Sequence, residues 1–181
     1  RSPPSQADAR AALSLPQDSP IYLIMSGSMG YGQLDPLIAG LLRLQKGAGQ
    51  VVVICGSNKK LRESLTERFG GNLRVLPLGY TNNVADYMDA CDVFFTKPGG
   101  LTSTEAIVSQ VPLVFTEPIP GLEILNAHFF AQRGMAYYSS IPAEQCAYAN
   151  LLYENKLSRE AMREAQRKNS SPLSAVHIVD A

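Results

Sequence analysis

A turn with two glycines and a nearby carboxylate, in the middle of the chain, has the residue types of a phosphate-binding site. A short apolar strand is predicted over residues 93–95, a turn over residues 98–100, and a helix from near Leu101. The first N–H groups of such a helix lack partners and lie at the positive end of its dipole, which suits a phosphate or diphosphate. Glu105 follows about one helical turn later, within reach of a ribose on that phosphate. Alternatively, the glycines only permit unusual backbone angles and Glu105 is solvated.

A second glycine loop repeats this pattern near the start of the chain. Residues 21–25 are apolar, residues 26–32 contain three glycines, and apolar residues at helical spacing follow from Leu34. The loop is either a second anion site or only a tight turn. Its glycines stand at 27, 30 and 32, outside the G-x-G-x-x-G order, and the strand predicted over residues 51–55 does not end in an acidic residue. NAD is therefore disfavoured.

Three further loops carry polar or glycine residues after apolar runs: residues 57–58, 78–81 and 118–126. Glu123 and Asn126 in the last of these lie on one helix face, where they could contact a ligand or merely cap and solvate a helix start. Lys97, just before the central turn, could contact a phosphate or be a surface charge. These loops extend the candidate site beyond the two glycine turns.

The elements that must position these loops alternate between strand and helix. Apolar runs predict strands over residues 21–25, 51–55, 73–76, 93–95, 112–115 and 135–138, and later helices over residues 84–91, 142–153 and 158–168. This alternation predicts an α/β fold: a Rossmann-like parallel sheet with right-handed crossovers and helices on both faces. Ligands of such sheets bind at the carboxyl ends of the strands, where all the candidate loops lie.

Composition narrows the class of protein. The 181 residues are 45% apolar, and 16 basic residues balance 16 acidic ones. The chain is therefore expected to be globular, and a nucleic-acid partner is disfavoured. The three cysteines are predicted to be buried free thiols, and the two histidines, without clustered cysteines or carboxylates, build no metal site.

The ends of the chain differ from its middle. Residues 1–20 are predicted to be a linker or interdomain segment with one short helix and no place in the core, residues 21–170 the folded domain, and residues 171–181 a tail. No apolar run is long enough to cross a bilayer, so any membrane contact would be at its surface. The basic residues at 159–168 are either the solvated face of a helix or a face that rests on anionic lipid.

The ten residues 97–106, KPGGLTSTEA, resemble the donor-binding signature of lipid and cell-wall glycosyltransferases with two Rossmann-like domains. The similarity is to the group of monogalactosyldiacylglycerol synthase and processive diacylglycerol glucosyltransferase, with the peptidoglycan N-acetylglucosaminyltransferase as a more distant relative. It extends over residues 21–165 with the loops in the same order. The resemblance implies that this chain is the C-terminal half of a GT-B glycosyltransferase.

That resemblance also implies a function. The chain would be the UDP-sugar donor-binding half of an inverting hexosyltransferase, which transfers glucose or galactose to a diacylglycerol-type lipid without a cofactor. The general base and the acceptor site would belong to an N-terminal half, so this chain would contain no catalytic residue and be inactive alone. The full enzyme would work at the cytoplasmic side of a membrane, as a peripheral protein.

The resemblance assigns roles to particular positions. Leu78, Gly79 and Tyr80 would bracket the base, the first turn of the central helix would hold the diphosphate, and Glu105 would take the ribose hydroxyls. Residues 120–126 resemble a P-G-Q-E-x-x-N stretch beside the donor sugar, but Leu122 stands where Gln is expected, which leaves the hexose open. The full set of predicted contacts is Gly27, Ser28, Met29, Gly30, Ser57, Asn58, Leu78, Gly79, Tyr80, Pro98, Gly99, Gly100, Leu101, Thr102, Glu105, Gly121, Glu123 and Asn126.

Two other functions are compatible with the same sequence. A UDP-sugar hydrolase or epimerase could keep the uridine loops and release product without a lipid acceptor. A non-catalytic Rossmann-like regulatory or interaction domain could keep the fold and bind little nucleotide.

Overall fold

A six-stranded sheet in which all neighbouring strands are parallel runs through the protein. The computed structural model describes residues 4–25 and 31–170, with only the backbone of residues 31 and 32. The strands are β1 Ile21–Met25, β2 Gln50–Ile54, β3 Val75–Leu78, β4 Val93–Thr96, β5 Leu113–Phe115 and β6 Tyr137–Tyr138. Their order in the sheet is β3-β2-β1-β4-β5-β6.

Eight α-helices and one short 3-10 helix are present in the described residues. They are α1 Gln6–Ala12, α2 Tyr31–Leu41, the 3-10 helix Leu44–Gly47, α3 Lys59–Phe69, α4 Val84–Ala90, α5 Gly100–Val108, α6 Leu122–Gln132, α7 Pro142–Glu154 and α8 Lys156–Asn169. The strand order reverses its direction between β1 and β4, so right-handed crossovers place α2 and α3 on one face and α4 to α6 on the other. Helix α7 packs on α2, while α1 packs on α4 and α8 on α5. The predicted α/β fold is confirmed.

The central strands are apolar without interruption because helices cover both of their faces. Every residue of β4 is buried, as are the first four of β1 and the last four of β2. The largest fully buried side chains, Tyr22, Phe94, Phe95 and Phe115, all come from the middle of the sheet. The core therefore lies around β1 and β4, the two strands between which the order reverses.

The third strand begins two residues later than the sequence predicts. It was expected over residues 73–76 but forms at Val75–Leu78, and Leu73 is almost fully exposed. The register is set by β2: Val51 pairs with Val75, and the Val51 N–H donates to the carbonyl of Arg74 at 2.7 Å. Pro77 is tolerated because β3 is the edge strand.

The N-terminal segment contributes to the core, which the sequence interpretation did not anticipate. The short helix is present as α1, and Ser5 caps it by accepting a hydrogen bond from the Asp8 N–H. Ala9 and Leu15 are nonetheless buried, and so is Arg10. The expectation that residues 1–20 have no place in the core is wrong, because two apolar side chains and an arginine stem cover the body without a visible apolar period. Residues 171–181, the predicted tail, lie outside the described part.

The last helix uses its less polar side to pack on the body. Met162 and Gln166 are buried, and the Gln166 side-chain amide donates to the carbonyls of Val111 and Met135, both at 2.9 Å. Among the basic residues of α8, Lys156, Arg167 and Lys168 are exposed, whereas Arg159 and Arg163 are half-buried and donate to backbone carbonyls. Within residues 4–25 and 31–170, no helix combines the length and the apolar character that crossing a membrane requires.

The three cysteines are buried and unpaired, as predicted. Burial raises the pKa of Cys55 and of Cys146 to about 11, and it also raises the pKa of Cys91. These thiols are therefore protonated at neutral pH and act as small apolar side chains.

Candidate functional site

The carboxyl ends of all six strands lie side by side along one edge of the sheet. The residues paired in register at this edge are, in spatial order, Leu78, Ile54, Met25, Thr96, Phe115 and Tyr138. The predicted ligand loops leave from these positions, and the reversal between β1 and β4 marks the crevice where such sheets bind ligands. The predicted contacts Gly27, Ser28, Met29 and Gly30 follow β1 directly but lie outside the described residues.

The central glycine turn leaves the start of α5 open, as predicted. Gly99 is the N-cap residue of α5, and no side chain among residues 4–25 and 31–170 caps this helix. The Ser103 N–H donates to the Gly99 carbonyl at 3.1 Å, so the N–H groups of Gly100, Leu101 and Thr102 precede the first intrahelical bond. A Cβ at Gly100 would have nothing within 4 Å. An anion can therefore approach three backbone donors at the positive end of the helix.

Two polar side chains in the first turns of α5 have no partner among the described residues. Glu105 is exposed, and its carboxylate forms neither an ion pair nor a hydrogen bond in the described part of the chain. Ser103 is fully buried, and its hydroxyl is unpaired within the same residues. Sequence analysis did not single out Ser103, because a serine in a helix carries no signal of its burial. A buried unpaired hydroxyl is costly, so it marks this turn as unusual.

The start of α6 is tied to the glycine turn by side chains that the sequence analysis placed in separate loops. Lys97 forms an ion pair with Glu123, with 2.6 Å between Nζ and Oε1. The second carboxylate oxygen of Glu123 accepts the Ile119 N–H at 2.8 Å, and the Asn126 amide donates to the Pro98 carbonyl at 3.0 Å. The structure therefore brings Pro98, Glu123 and Asn126 together.

The same contacts set the protonation of Glu123. Burial by itself would raise the pKa of Glu123, but hydrogen bonds from Lys97 and from the Ile119 N–H, together with the Lys97 charge, outweigh it and lower the pKa below its ordinary value. Each carboxylate oxygen still has a lone pair, so Glu123 can accept a further hydrogen bond from a ligand hydroxyl.

The residue before α6 needs to be glycine. Gly121 has φ +111° and ψ −127°, a conformation that side chains exclude. It turns the chain so that Glu123 points back at the glycine turn while Leu122, beside it, is 74% exposed. An apolar side chain thus faces solvent at the position where the resemblance calls for glutamine.

The loops after β2 and β3 lie further along the same edge. Asn58 caps α3 by accepting the Leu61 N–H at 3.0 Å, which leaves its amide N–H groups for a ligand, and Ser57 is exposed. The Leu78 carbonyl is used in the sheet by the Cys55 N–H at 2.8 Å. Tyr80 is 77% exposed, so its ring is available to a ligand.

Arg62 lies beside this edge and was not identified from the sequence. Its Nη1 is 3.6 Å from the position that a Cβ would take at Gly79. A lone arginine on a helix gives no sequence signal for such a contact. No group of three or more His, Cys, Asp or Glu side chains that could hold a metal ion occurs within residues 4–25 and 31–170.

Known proteins resemble this chain in sequence and in fold. Residues 21–177 match the family described as the glycosyltransferase family 28 C-terminal domain. A processive diacylglycerol beta-glucosyltransferase of Staphylococcus aureus (strain Newman) is 37% identical over 132 residues, which are 72% of this chain and 34% of that protein. This chain thus spans about a third of the length of that relative.

Two solved structures resemble the whole chain at lower identity. MurG of Acinetobacter baumannii is 23% identical with a TM-score of 0.65, and the match covers 99% of this chain and 53% of that one. HepE of Anabaena, solved in complex with UDP-glucose, is 18% identical with a TM-score of 0.76, and the match covers 99% and 51%. The predicted GT-B half is therefore confirmed at the level of the fold. Since the family match takes in nearly all of the folded body, this chain belongs to glycosyltransferase family 28, as a C-terminal domain of that family.

Proposed function

We propose that this domain binds the UDP-sugar donor of an inverting hexosyltransferase whose acceptor is a diacylglycerol-type lipid. The observation that carries the proposal is the start of α5 at Gly99, which has no side-chain cap among the described residues, followed less than two turns later by the carboxylate of Glu105, unpaired within the same residues. Backbone N–H groups suit a diphosphate, and a carboxylate suits the two hydroxyls of a ribose. The family match and the diacylglycerol glucosyltransferase of S. aureus support this choice of donor and acceptor.

The other predicted contacts keep the roles that the resemblance implies. Leu78, Gly79 and Tyr80 would hold the base, and Glu123 with Asn126 would face the sugar. Asn126 keeps its side-chain oxygen for a sugar hydroxyl, because only its amide nitrogen is used by Pro98. Gly27, Ser28, Met29 and Gly30 lie outside the described residues, and the resemblance implies contacts with the diphosphate for them.

In the reaction, this domain would stabilise the leaving group. An acceptor hydroxyl, deprotonated by a base outside this chain, would attack the anomeric carbon while the N–H groups of α5 take up the charge that develops on the UDP diphosphate. The acceptor side would belong to another domain, so we expect weak nucleotide binding and no sugar transfer by this chain alone. The full enzyme would meet its lipid acceptor as a peripheral protein at the cytoplasmic face of a membrane.

Titration calorimetry of this chain with UDP, ADP and NAD tests the proposal. UDP should bind in preference to the other two, and Glu105→Ala should weaken UDP by about tenfold or more, because hydrogen bonds to a charged group are lost. Glu67→Ala, which removes an exposed carboxylate from α3, is the matched control and should leave the affinity unchanged. Equal binding of the three nucleotides, or an unaltered affinity in Glu105→Ala, would contradict the proposal. Release of sugar from UDP-glucose without an acceptor would instead indicate a hydrolase.

A further inference from the structure

An ion pair joins Lys97, just before the glycine turn, to Glu123 in the first turn of α6. Lys97 and Glu123 are only 27% and 16% exposed in their side chains, and their charged atoms are 2.6 Å apart. Both oxygens of Glu123 are held, one by Lys97 and the other by the Ile119 N–H. This pair is therefore more ordered than a typical surface salt bridge.

The position of Glu123 creates an electrostatic problem for the proposed ligand. Its Oε1 lies 3.7 Å from the position that a Cβ would take at Gly99, the N-cap residue of α5. A diphosphate at the start of α5 would therefore approach a carboxylate, and the two negative charges would repel each other. Among the described residues, Lys97 is the only cation that forms an ion pair with Glu123.

We infer that Lys97 is a positioning residue that makes the site acceptable to a diphosphate by cancelling the charge of Glu123. The inference rests on the proposed function, because it requires an anion at Gly99. Lys97 acts through Glu123: it neutralises the carboxylate and keeps it turned toward the sugar side. A lysine that bound the phosphate itself would act whether or not Glu123 were charged, and this difference can be measured.

A double-mutant cycle on UDP affinity separates the two roles. The variants are Lys97→Met, which removes the charge at similar length, Glu123→Gln, and the two together, each titrated with UDP and with uridine. Lys97→Arg keeps the charge and serves as the rescue. Lys156→Met, at an exposed position at the start of α8, is the matched control for loss of a lysine.

Lys97→Met should weaken the affinity for UDP by about fivefold, as expected for one unscreened charge near the ligand, and leave the affinity for uridine unchanged. Adding Glu123→Gln should restore the UDP affinity to within about twofold of the unmodified chain, since the repelling charge is gone. Lys97→Arg and Lys156→Met should bind like the unmodified chain. If the substitution of Lys97 acted only by disturbing the structure, the affinity for uridine would fall as well.

Three results would overturn the inference. A double variant as weak as Lys97→Met would show that Lys97 contacts the diphosphate itself. An unchanged UDP affinity in Lys97→Met would show that the pair has no bearing on the ligand. If the unmodified chain fails to bind UDP at all, the proposed function falls and this inference falls with it.

Discussion

The two ends of the sheet each carry a basic and an acidic side chain in contact, but their surroundings differ. At the amino ends of the strands, Arg10 is only 7% exposed and pairs with Asp92 at 2.7 Å. Arg10 also donates to the carbonyls of Ala90 and Gln17, and Asp92 accepts the backbone N–H of Ile21 at 2.7 Å. Both charged groups of the pair thus have further partners, and the pair fastens α1 to the starts of β1 and β4.

At the carboxyl ends, the charged groups are more exposed and several polar groups have no partner. Lys97 is 27% exposed, α5 begins without a side-chain cap, and Glu105 is unpaired in the described part of the chain. This difference between the two ends indicates which polar groups stabilise the fold and which are available to bind a ligand. Satisfied, buried groups contribute to folding, whereas open donors and acceptors at a helix start are free to bind.

Arg10→Met should produce the largest loss of stability. It leaves Asp92 and the Ala90 carbonyl without their guanidinium partner, and breaking a buried ion pair costs about 3–5 kcal/mol. Denaturant unfolding measures the loss. Arg167→Met, which removes a half-exposed arginine paired with Glu164 on α8, should cost less than about 1 kcal/mol. Similar losses in the two variants would contradict the conclusion that the buried pair contributes more to folding than an exposed one.

Gly121→Ala should be the next largest change and affects the carboxyl end. At φ +111° the alanine is strained, and such strain costs about 1–3 kcal/mol. Gly100→Ala is the matched control, because Gly100 is helical and a Cβ there has nothing within 4 Å. We expect its free energy of unfolding to stay within about 0.5 kcal/mol of the unmodified chain. If Gly121→Ala were equally harmless in urea unfolding, the turn before α6 would not be fixed as described.

The Lys97–Glu123 pair should give a smaller effect that depends on pH. The pKa of Glu123 is lowered in the folded protein, so its contribution is present above the unfolded value of about 4.3 and is lost as the pH falls through the folded pKa. The stability difference between the unmodified chain and Glu123→Gln should therefore be below about 1 kcal/mol at pH 7 and vanish in acid. Denaturant unfolding of both proteins at several pH values between pH 7 and acid measures this stability difference. A difference that stayed constant with pH would rule out the charged pair as its source.

Leu101→Gln should have the smallest effect on stability. Leu101 is 83% exposed in the first turn of α5, so a polar replacement should change the free energy of unfolding by less than about 0.5 kcal/mol. Leu113→Gln provides the contrast, because Leu113 is fully buried in β5 and its replacement should prevent or severely weaken folding. A large loss in Leu101→Gln by thermal unfolding would mean that the carboxyl end contributes more to stability than its exposure suggests.

Prediction from the sequence succeeded where the position of an element depends on nearby residues. It failed where contacts with another element set the register or the burial of a residue. The apolar runs located every strand, and the glycine turn before Leu101 located the start of α5. The third strand was displaced by two residues because its register belongs to β2. Residues 1–20 were predicted to stay out of the core because Ala9 and Leu15 are too sparse to form a period. The roles of the predicted site residues remain predictions that the ligand titrations will test.

By itself, the sequence determined the α/β alternation, the strand-turn-helix at Gly99 and the spacing that places Glu105 less than two turns beyond it, because each depends on residues close together in the chain. Only the tertiary structure decided the partners of Lys97 and Arg10. Glu123 is 26 residues from Lys97, and Asp92 is 82 residues from Arg10. The strand order β3-β2-β1-β4-β5-β6 brings distant segments of the chain together, at the amino ends of the strands for Arg10 and at the carboxyl ends for Lys97. That order follows from packing the whole core.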